Sequence, residues 1–381
     1  MIVLKVYALL LLAIGIYTAL TTMFNVLYFK RMAKVKPTNS ENGPLVSVII
    51  PARDEEKALP RLLESMTKQS YKNLEVLVIN DQSSDRTQEI IDEFSKRDPR
   101  IRGYKTNPEK RLSKHGKMNA LLQLIPHAKG KYLLATDADT VHATHSIAHT
   151  VAMMEKHNLD IMSGLPTQLN KSYRAGMNTA AMMFSNTMIP HFLLYRLQIP
   201  SLAFAIGQYI IMRRDAYYEV GGYEKVTNNI VDDIGIIRLF VKNKKKYAFV
   251  NLSDDVACYM YESFRESFKG IERSIIGIFP VSFWIVIPIA IAVCFLLIIA
   301  WAPLAIIALF LLGNRSLDLL FLSIGWLLFC LAWYSGCRNI NFRKLIAASG
   351  PLSITCICAM YIHGIYRRLS GKNFIWKGRI V

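Results

Sequence analysis

The placement of the apolar runs constrains this chain most. They gather at the two ends, in Val3 to Tyr28 and in several stretches after Phe279, with a long segment of ordinary polar composition between them. An apolar helix of about 20 residues crosses the roughly 30 Å hydrocarbon core of a bilayer. At 52% hydrophobic residues and a mean hydropathy of +0.25, the 381-residue chain is too apolar for an ordinary soluble protein. Both observations predict one polar domain tethered by membrane spans.

The first run has no small-residue cleavage site and is followed by Lys30, Arg31, Lys34 and Lys36. That pattern suits an uncleaved anchor, and the positive-inside bias then puts the middle of the chain in the cytosol. The formal charge of +18 has the same origin, because the basic residues cluster beside apolar segments: Lys30 to Lys36, Lys242 to Lys246 and Arg367 to Arg379. Such clusters suit anionic headgroups. No basic stripe is interleaved with stacking aromatics, so nucleic acid is not an expected partner. Five of six cysteines lie in or next to apolar spans, which argues for packing residues in a reducing compartment and against a disulfide framework.

These signals divide the chain into an anchor (1–29), a basic linker (30–44), a domain (45–260), an amphipathic helix (261–278), C-terminal spans (279–366) and a basic cytosolic tail (367–381). As one helix, the first C-terminal run, Phe279 to Leu312, would be about 50 Å long. Pro288 and Pro303 offer breaks, and five spans in all would return the basic tail to the cytosol. The expected location is the cell membrane of a bacterium.

Within the domain, strand-length apolar runs alternate with amphipathic stretches. Strands are expected at Leu45 to Pro51, Leu74 to Asn80, Ile101 to Tyr104 and Tyr132 to Thr136. Helices are expected at Leu59 to Lys68, Asp85 to Ser95, Lys117 to Leu124 and Ser146 to Lys156. Alternation of this kind builds a mostly parallel, Rossmann-like α/β sheet, which binds ligands at the carboxyl ends of its strands. Asp54, Asp81, and Asp137 with Asp139 fall at those ends. Two carboxylates after a strand suit an oxygen-preferring cation such as Mg2+ or Mn2+ shared with a diphosphate.

The segments VSVIIPARDEE (Val46 to Glu56), LEVLVINDQSSDRT (Leu74 to Thr87) and GKYLLATDADT (Gly130 to Thr140) resemble the family-2 glycosyltransferases of GT-A fold. The resemblance implies a nucleotide-sugar donor held by Pro51, Ala52, Arg53, Glu55, Asp81, Lys117, Asp137 and Asp139, with the metal on Asp139 and Asp137. HGKMNALL (His115 to Leu122) is similar to the family element that supplies Lys117. GQYIIMRRDAYYEVGGY (Gly207 to Tyr223) resembles the acceptor-side element and points to Gly207 and Gln208. IVDDIGIIRLF (Ile230 to Phe240) is similar to the E-D motif, which implies Asp233 as general base and Asp232 as its acidic neighbour. Here Asp232 stands where the family usually has Glu.

The Q-x-x-R-W motif of polymer synthases is missing from Tyr261 to Ile275. The stretch FRESFKG and the closing WKGR look instead like a subgroup acting on lipids, such as carotenoid, hopanoid-associated and ceramide glycosyltransferases. That implies acceptor-side roles for Arg265, Trp376 and Arg379, inverting transfer, a UDP-sugar donor and a membrane-lipid acceptor. Processive polysaccharide synthesis and a non-catalytic nucleotide-sugar sensor or scaffold are the alternatives. His142 and His145 have H-x-x-H spacing but no third ligand in view, so they read as local structure and not as a zinc site.

Overall fold

A computed structural model describes residues 2–37, 43–227, 232–278, 293–294, 296–313, 316–372, 375–376 and 379–380, and the backbone only of 184–187, 276–278, 375–376 and 379–380. The chain divides into two compact units. One carries the main sheet and comprises residues 29–169, 193–259 and 375–381; the other is helical and comprises 1–28, 170–192 and 260–374.

In the sheet unit, seven strands run in the order β3-β2-β1-β4-β8-β6-β9. They are β1 (Val46–Ala52), β2 (Leu74–Asn80), β3 (Ile101–Lys105), β4 (Tyr132–Thr136), β6 (Ile161–Leu165), β8 (Tyr209–Arg213) and β9 (Tyr247–Asn251). All neighbours pair in parallel except at β8, which is antiparallel to both β4 and β6. Every residue of β2 and β4 is buried, as expected of strands covered on both faces. Helices α2 (Leu59–Thr67), α3 (Thr87–Arg97), α4 (Gly116–Leu124) and α5 (Ser146–Lys156) occupy the connections. A second sheet of order β5-β10-β7 joins β5 (Thr140–His142), β10 (Val256–Cys258) and β7 (Thr167–Gln168).

The chain builds β1, β2 and β3 outward in one direction and then returns to set β4 on the other side of β1. This reversal is a topological switch point, where crossovers diverge and leave a crevice at the strand ends. Asp137 follows β4 there. Asp54 and Gln82, which follow β1 and β2, adopt left-handed backbone at φ 50° and 57°. That geometry is costly outside glycine and collects at functional sites. Asp54 is held by Ser84, whose N–H donates to its carboxylate at 2.8 Å, so it ties the two loops together.

Helix α1 (Ile2–Ala33) is 32 residues long and ends against α5. The last carbonyls of a helix lack intrahelical donors. Here His157 Nε2 reaches Met32 O at 3.3 Å, His149 Nε2 reaches Ala33 O at 2.9 Å and the Lys156 ammonium donates to Lys34 O at 2.7 Å.

The remaining helices are α6 (Tyr173–Met188), α7 (His191–Leu197), α8 (Arg214–Glu219), α9 (Asp232–Lys242), α10 (Phe264–Ile278), α11 (Ala302–Leu311), α12 (Leu317–Asn339), α13 (Lys344–Ala347) and α14 (Gly350–Leu369). Two strands, β11 (Ile375–Trp376) and β12 (Arg379–Ile380), pair near the end. Helices α1 and α12 are long and apolar enough to cross a membrane. Their apolar windows are 22% and 33% buried within the protein.

The helical regions differ from the sequence expectations in three places. The span expected at Leu345 to Tyr366 is broken into α13 and α14, because Pro351 sits in the first turn of α14 and its ring excludes a continuous helix through Ala347. Pro303 likewise falls in the first turn of α11, while residues 279–292 lie outside the described residues, as does the five-span count that depends on them. The amphipathic helix α10 exists, but its apolar side packs on the chain itself, with Ile271 and Ile275 buried against Met182 of α6 and Met360 of α14. Helix α6, inside the expected 45–260 domain, groups with those helices because its small buried face of Ala175, Gly176 and Ala180 admits close neighbours.

Candidate active site

Three polar clusters meet at the carboxyl edge of the sheet, each delivered by a different strand end or helix start. Asp81 follows β2 and is 4% exposed. Its N–H donates to Ala52 O at 2.8 Å, and Thr106 Oγ1 donates to its carboxylate at 3.3 Å. It borders a cavity of about 260 Å³ that Arg111, Ser113, Lys114 and Asn119 also line. Arg53, at the end of β1, donates to Asp81 O at 2.9 Å. Pro51 and Ala52 are the last strand residues before it, and Ala52 is fully buried.

Asp137 and Asp139 occupy the tight turn between β4 and β5. Thr140 closes the turn, its N–H and hydroxyl both donating to Asp137 O at 3.2 and 2.8 Å. His142 backs it from a buried position, with Nε2 3.2 Å from Thr136 Oγ1 and Nδ1 3.2 Å from Ser146 Oγ. Burial pushes this imidazole down to about 3, so it stays neutral. His145 turns away toward Asp255 at 3.6 Å.

The third cluster is at the start of α9. Asp232 and Asp233 open this helix, where backbone N–H groups favour negative charge. Asp233 accepts from Gly207 N at 2.8 Å and from Ile234 N at 2.7 Å. Lys117, in the first turn of α4, links this cluster to the previous one. Its ammonium lies 2.6 Å from Asp137 and 3.9 Å from Asp232. A Cβ added at Gly207 would stand 3.1 Å from both Lys117 Nζ and Asp233 Oδ2, so glycine is what lets the backbone approach them.

The charges set the proton affinities. Burial, with the charge of Asp232 behind it, pushes Asp233 up to about 7, although Lys117 and two N–H donors pull the other way. Burial, then the charges of Asp137 and Glu55, push Asp139 up to about 7. Burial opposes the charge on Lys117, yet the facing carboxylates outweigh it and raise the ammonium. The site therefore holds more negative charge than it can keep stable by itself.

Such a site suits a cation. Asp139 Oδ1 is buried and has no hydrogen-bond partner, an arrangement that costs free energy unless something positive meets it. Among the described residues no group of three acidic, His or Cys side chains surrounds a single point. Asp139 with Asp137 therefore fits a hard divalent ion whose other ligands come from a bound diphosphate and water.

The structure thus brings together Glu55, Lys117, Asp137, Asp139, Gly207, Asp232 and Asp233. For Gln208 the sequence allows either an acceptor-side group or a satisfied structural amide. It is 3% exposed, and its amide accepts from Gln168 at 2.9 Å and donates to Cys258 Sγ at 2.9 Å. Gly221 and Gly222 do form a tight turn with φ 82° and 52°, but the group packed closest to Gly222 is the Tyr217 ring. Arg265 lies exposed on α10 in the helical unit. Trp376 and Arg379 lie on β11 and β12, and their side chains are outside the described residues. Sequence reasoning passed over Thr106, Arg111 and Lys114; the one visible signal was the basic run KRLSKHGK ahead of α4.

Comparison with known proteins bears on the fold and the family. A mannosyltransferase from Pyrobaculum calidifontis, solved with GDP-Man and Mn2+, superposes over 95% of this chain and 99% of its own with a TM-score of 0.51. At 18% identity this shows the fold, a GT-A-like α/β architecture. A beta-monoglucosyldiacylglycerol synthase of Trichormus variabilis is 24% identical over 61% of this chain and 46% of its own length. A 4,4'-diaponeurosporenoate glycosyltransferase of Staphylococcus haemolyticus is 28% identical over 62% of each. The chain thus matches less than two thirds of either relative. Residues 47–221 match the model of Glycosyl transferase family 2, and with the acidic edge of the sheet in place this chain carries a family-2 glycosyl transferase domain.

Proposed function

We propose that the protein is an inverting glycosyltransferase that moves a sugar from a UDP-sugar to the hydroxyl of a membrane lipid. The observation that carries the reading is the pairing of a diphosphate-suited edge, Asp137 and Asp139, with a separately held carboxylate, Asp233, joined through Lys117. A binding module has no need of the second carboxylate. The cavity beside Asp81 takes the nucleoside.

Asp233 takes the proton of the acceptor hydroxyl. The freed oxygen forms a bond to the anomeric carbon as the bond from that carbon to the diphosphate breaks, and the nucleoside diphosphate leaves. Asp139 and Asp137 would hold Mg2+ or Mn2+, which when bound would supply positive charge for the departing diphosphate. Lys117 adds a fixed positive charge beside it, and Gly207 N–H holds Asp233 in orientation. The lipid acceptor is supported by two relatives named for lipids and by apolar helices that leave most of their surface for a membrane.

Mass spectrometry of membrane lipids from cells making the protein, or its Asp233→Asn variant, tests the acceptor. A glycolipid present only with the active protein is the expected result; identical lipid profiles would sink the lipid assignment. Calorimetry with UDP and GDP tests the donor, and we expect Mn2+-dependent UDP binding that Asp139→Ala removes. Equal binding without metal would count against the metal site.

A further inference from the structure

One buried charge lies outside the site described above. Glu272, on α10 in the helical unit, is 1% exposed. Its Oε1 accepts from His363 Nδ1 of α14, and Arg367, one turn further along α14, stands 3.9 Å from its Oε2. Both helices already pack through Ile271, Ile275 and Met360, and Asn178 of α6 donates to Ser267 at 2.9 Å. Adhesion alone does not require a buried carboxylate, since an ion pair of this kind is often no more stabilising than apolar residues of equal volume. The helix dipole would draw basic residues to the end of α14 by itself, without an acid on another helix.

What Glu272 does is fix two basic groups from behind. With Nδ1 turned to the carboxylate, Nε2 is the ring nitrogen left to meet an anion, which it does as an N–H when both nitrogens carry protons. The side chain is 52% exposed, and its ring is braced edge-on by Phe268 at 6.1 Å. His363 and Arg367 are four residues apart and share a helix face. Lys269, one turn before Glu272 on α10, is exposed. His363 and Arg367 beside one carboxylate are paired polar groups on a rigid backing, an arrangement that suits a phosphate oxyanion. The pair stands in the last turns of α14, whose surface also exposes Leu352, Ile362, Tyr366 and Leu369, so cations, an aromatic ring and apolar side chains share that surface. A mixed apolar, aromatic and basic surface of this kind suits the headgroup level of a bilayer.

We propose that His363 and Arg367, fixed by Glu272, form a binding site for the phosphate of an anionic phospholipid. The site is separate from sugar transfer and stands or falls independently of it. The test uses the full chain in detergent, titrated with phosphatidylglycerol carrying a spin label and followed by the immobilised fraction. Wild type should bind, and His363→Gln with Arg367→Gln should weaken binding about tenfold or more, the loss of one to two charge-assisted contacts. Arg368→Gln, on the neighbouring exposed residue, should bind as wild type does.

Two competitors separate the sources of phosphate. Diacylglycerol, which lacks phosphate, should not displace the labelled lipid, and inorganic phosphate should displace it only at far higher concentration. Equal displacement by inorganic phosphate means an adventitious anion only. Equal displacement by diacylglycerol means tail contact alone, and either result overturns the proposal. So does unchanged affinity in the double variant. UDP binding should be unaltered in every variant, which certifies the fold, and Glu272→Gln, which keeps the shape and removes the charge, should lie between wild type and the double variant.

Discussion

At the scale of single residues, the most exacting statement concerns the proton on Asp233. A carboxyl pushed up to about 7 by burial and by Asp232 is half protonated near neutral pH, and a base works only as the carboxylate. Activity should therefore rise about tenfold per pH unit below that point and level off above it. Asp232→Asn removes a negative neighbour, so the inflection should move to lower pH; a shift upward, or none, in the kcat/KM profile would refute the electrostatic account. Asp233→Asn should lower kcat by about 10² to 10⁴ while leaving UDP affinity near wild type. The sequence made Asp81, Asp139 and Asp233 legible because each stands next to a recognisable strand end or helix start. For Gln208 it leaves an acceptor-side group and a satisfied structural amide equally open, because the partners of that amide, Gln168 and Cys258, lie 40 and 50 residues away. The resemblance implies that Lys117 meets the donor nucleotide or its phosphates, and only the fold sets it between Asp137 and Asp232.

At the scale of elements, the first half of the sheet was legible to within a few residues. Buried parallel strands are short unbroken apolar runs, and β2 and β4 follow the expected Leu74 to Asn80 and Tyr132 to Thr136. Helix α6 was not legible, since its small residues acquire meaning only from α10 and α14. Glycines in the apolar helices were equally silent. Gly15 of α1 and Gly325 of α12 face one another so closely that a Cβ on Gly325 would stand 2.6 Å from Leu12 N, and one on Gly15 would run into the backbone of Gly325. Close backbone approach through small residues is how apolar helices gain contact when lipid offers equal hydrophobicity. Gly325→Leu should force the pair apart and destabilise the protein by about 1 to 3 kcal/mol, the usual cost of overpacking. Thermal unfolding in detergent measures this, and an unchanged midpoint would mean that the two helices do not pack through these glycines.

At the scale of the whole molecule, the chain does not run as anchor, domain and spans in succession. It leaves the sheet unit at Leu169, contributes α6 to the helical unit, and returns at Leu193 for β8, α9 and β9. Domain boundaries read from apolar runs cannot detect such an excursion, because α6 is too short and too polar to register as a span. The excursion predicts what trimming will do. A chain cut to residues 30–260 keeps the whole seven-stranded sheet and every acidic residue of its edge, yet it loses α10 and α14. Helix α6 would then present Ala175, Ala180 and Met183, all fully buried in the intact protein, to water. An apolar face of that kind drives association. The trimmed chain should therefore elute as aggregate without detergent and as a single species with it, while still binding UDP. A monodisperse, UDP-binding fragment in plain buffer would show that α6 needs no helical partners.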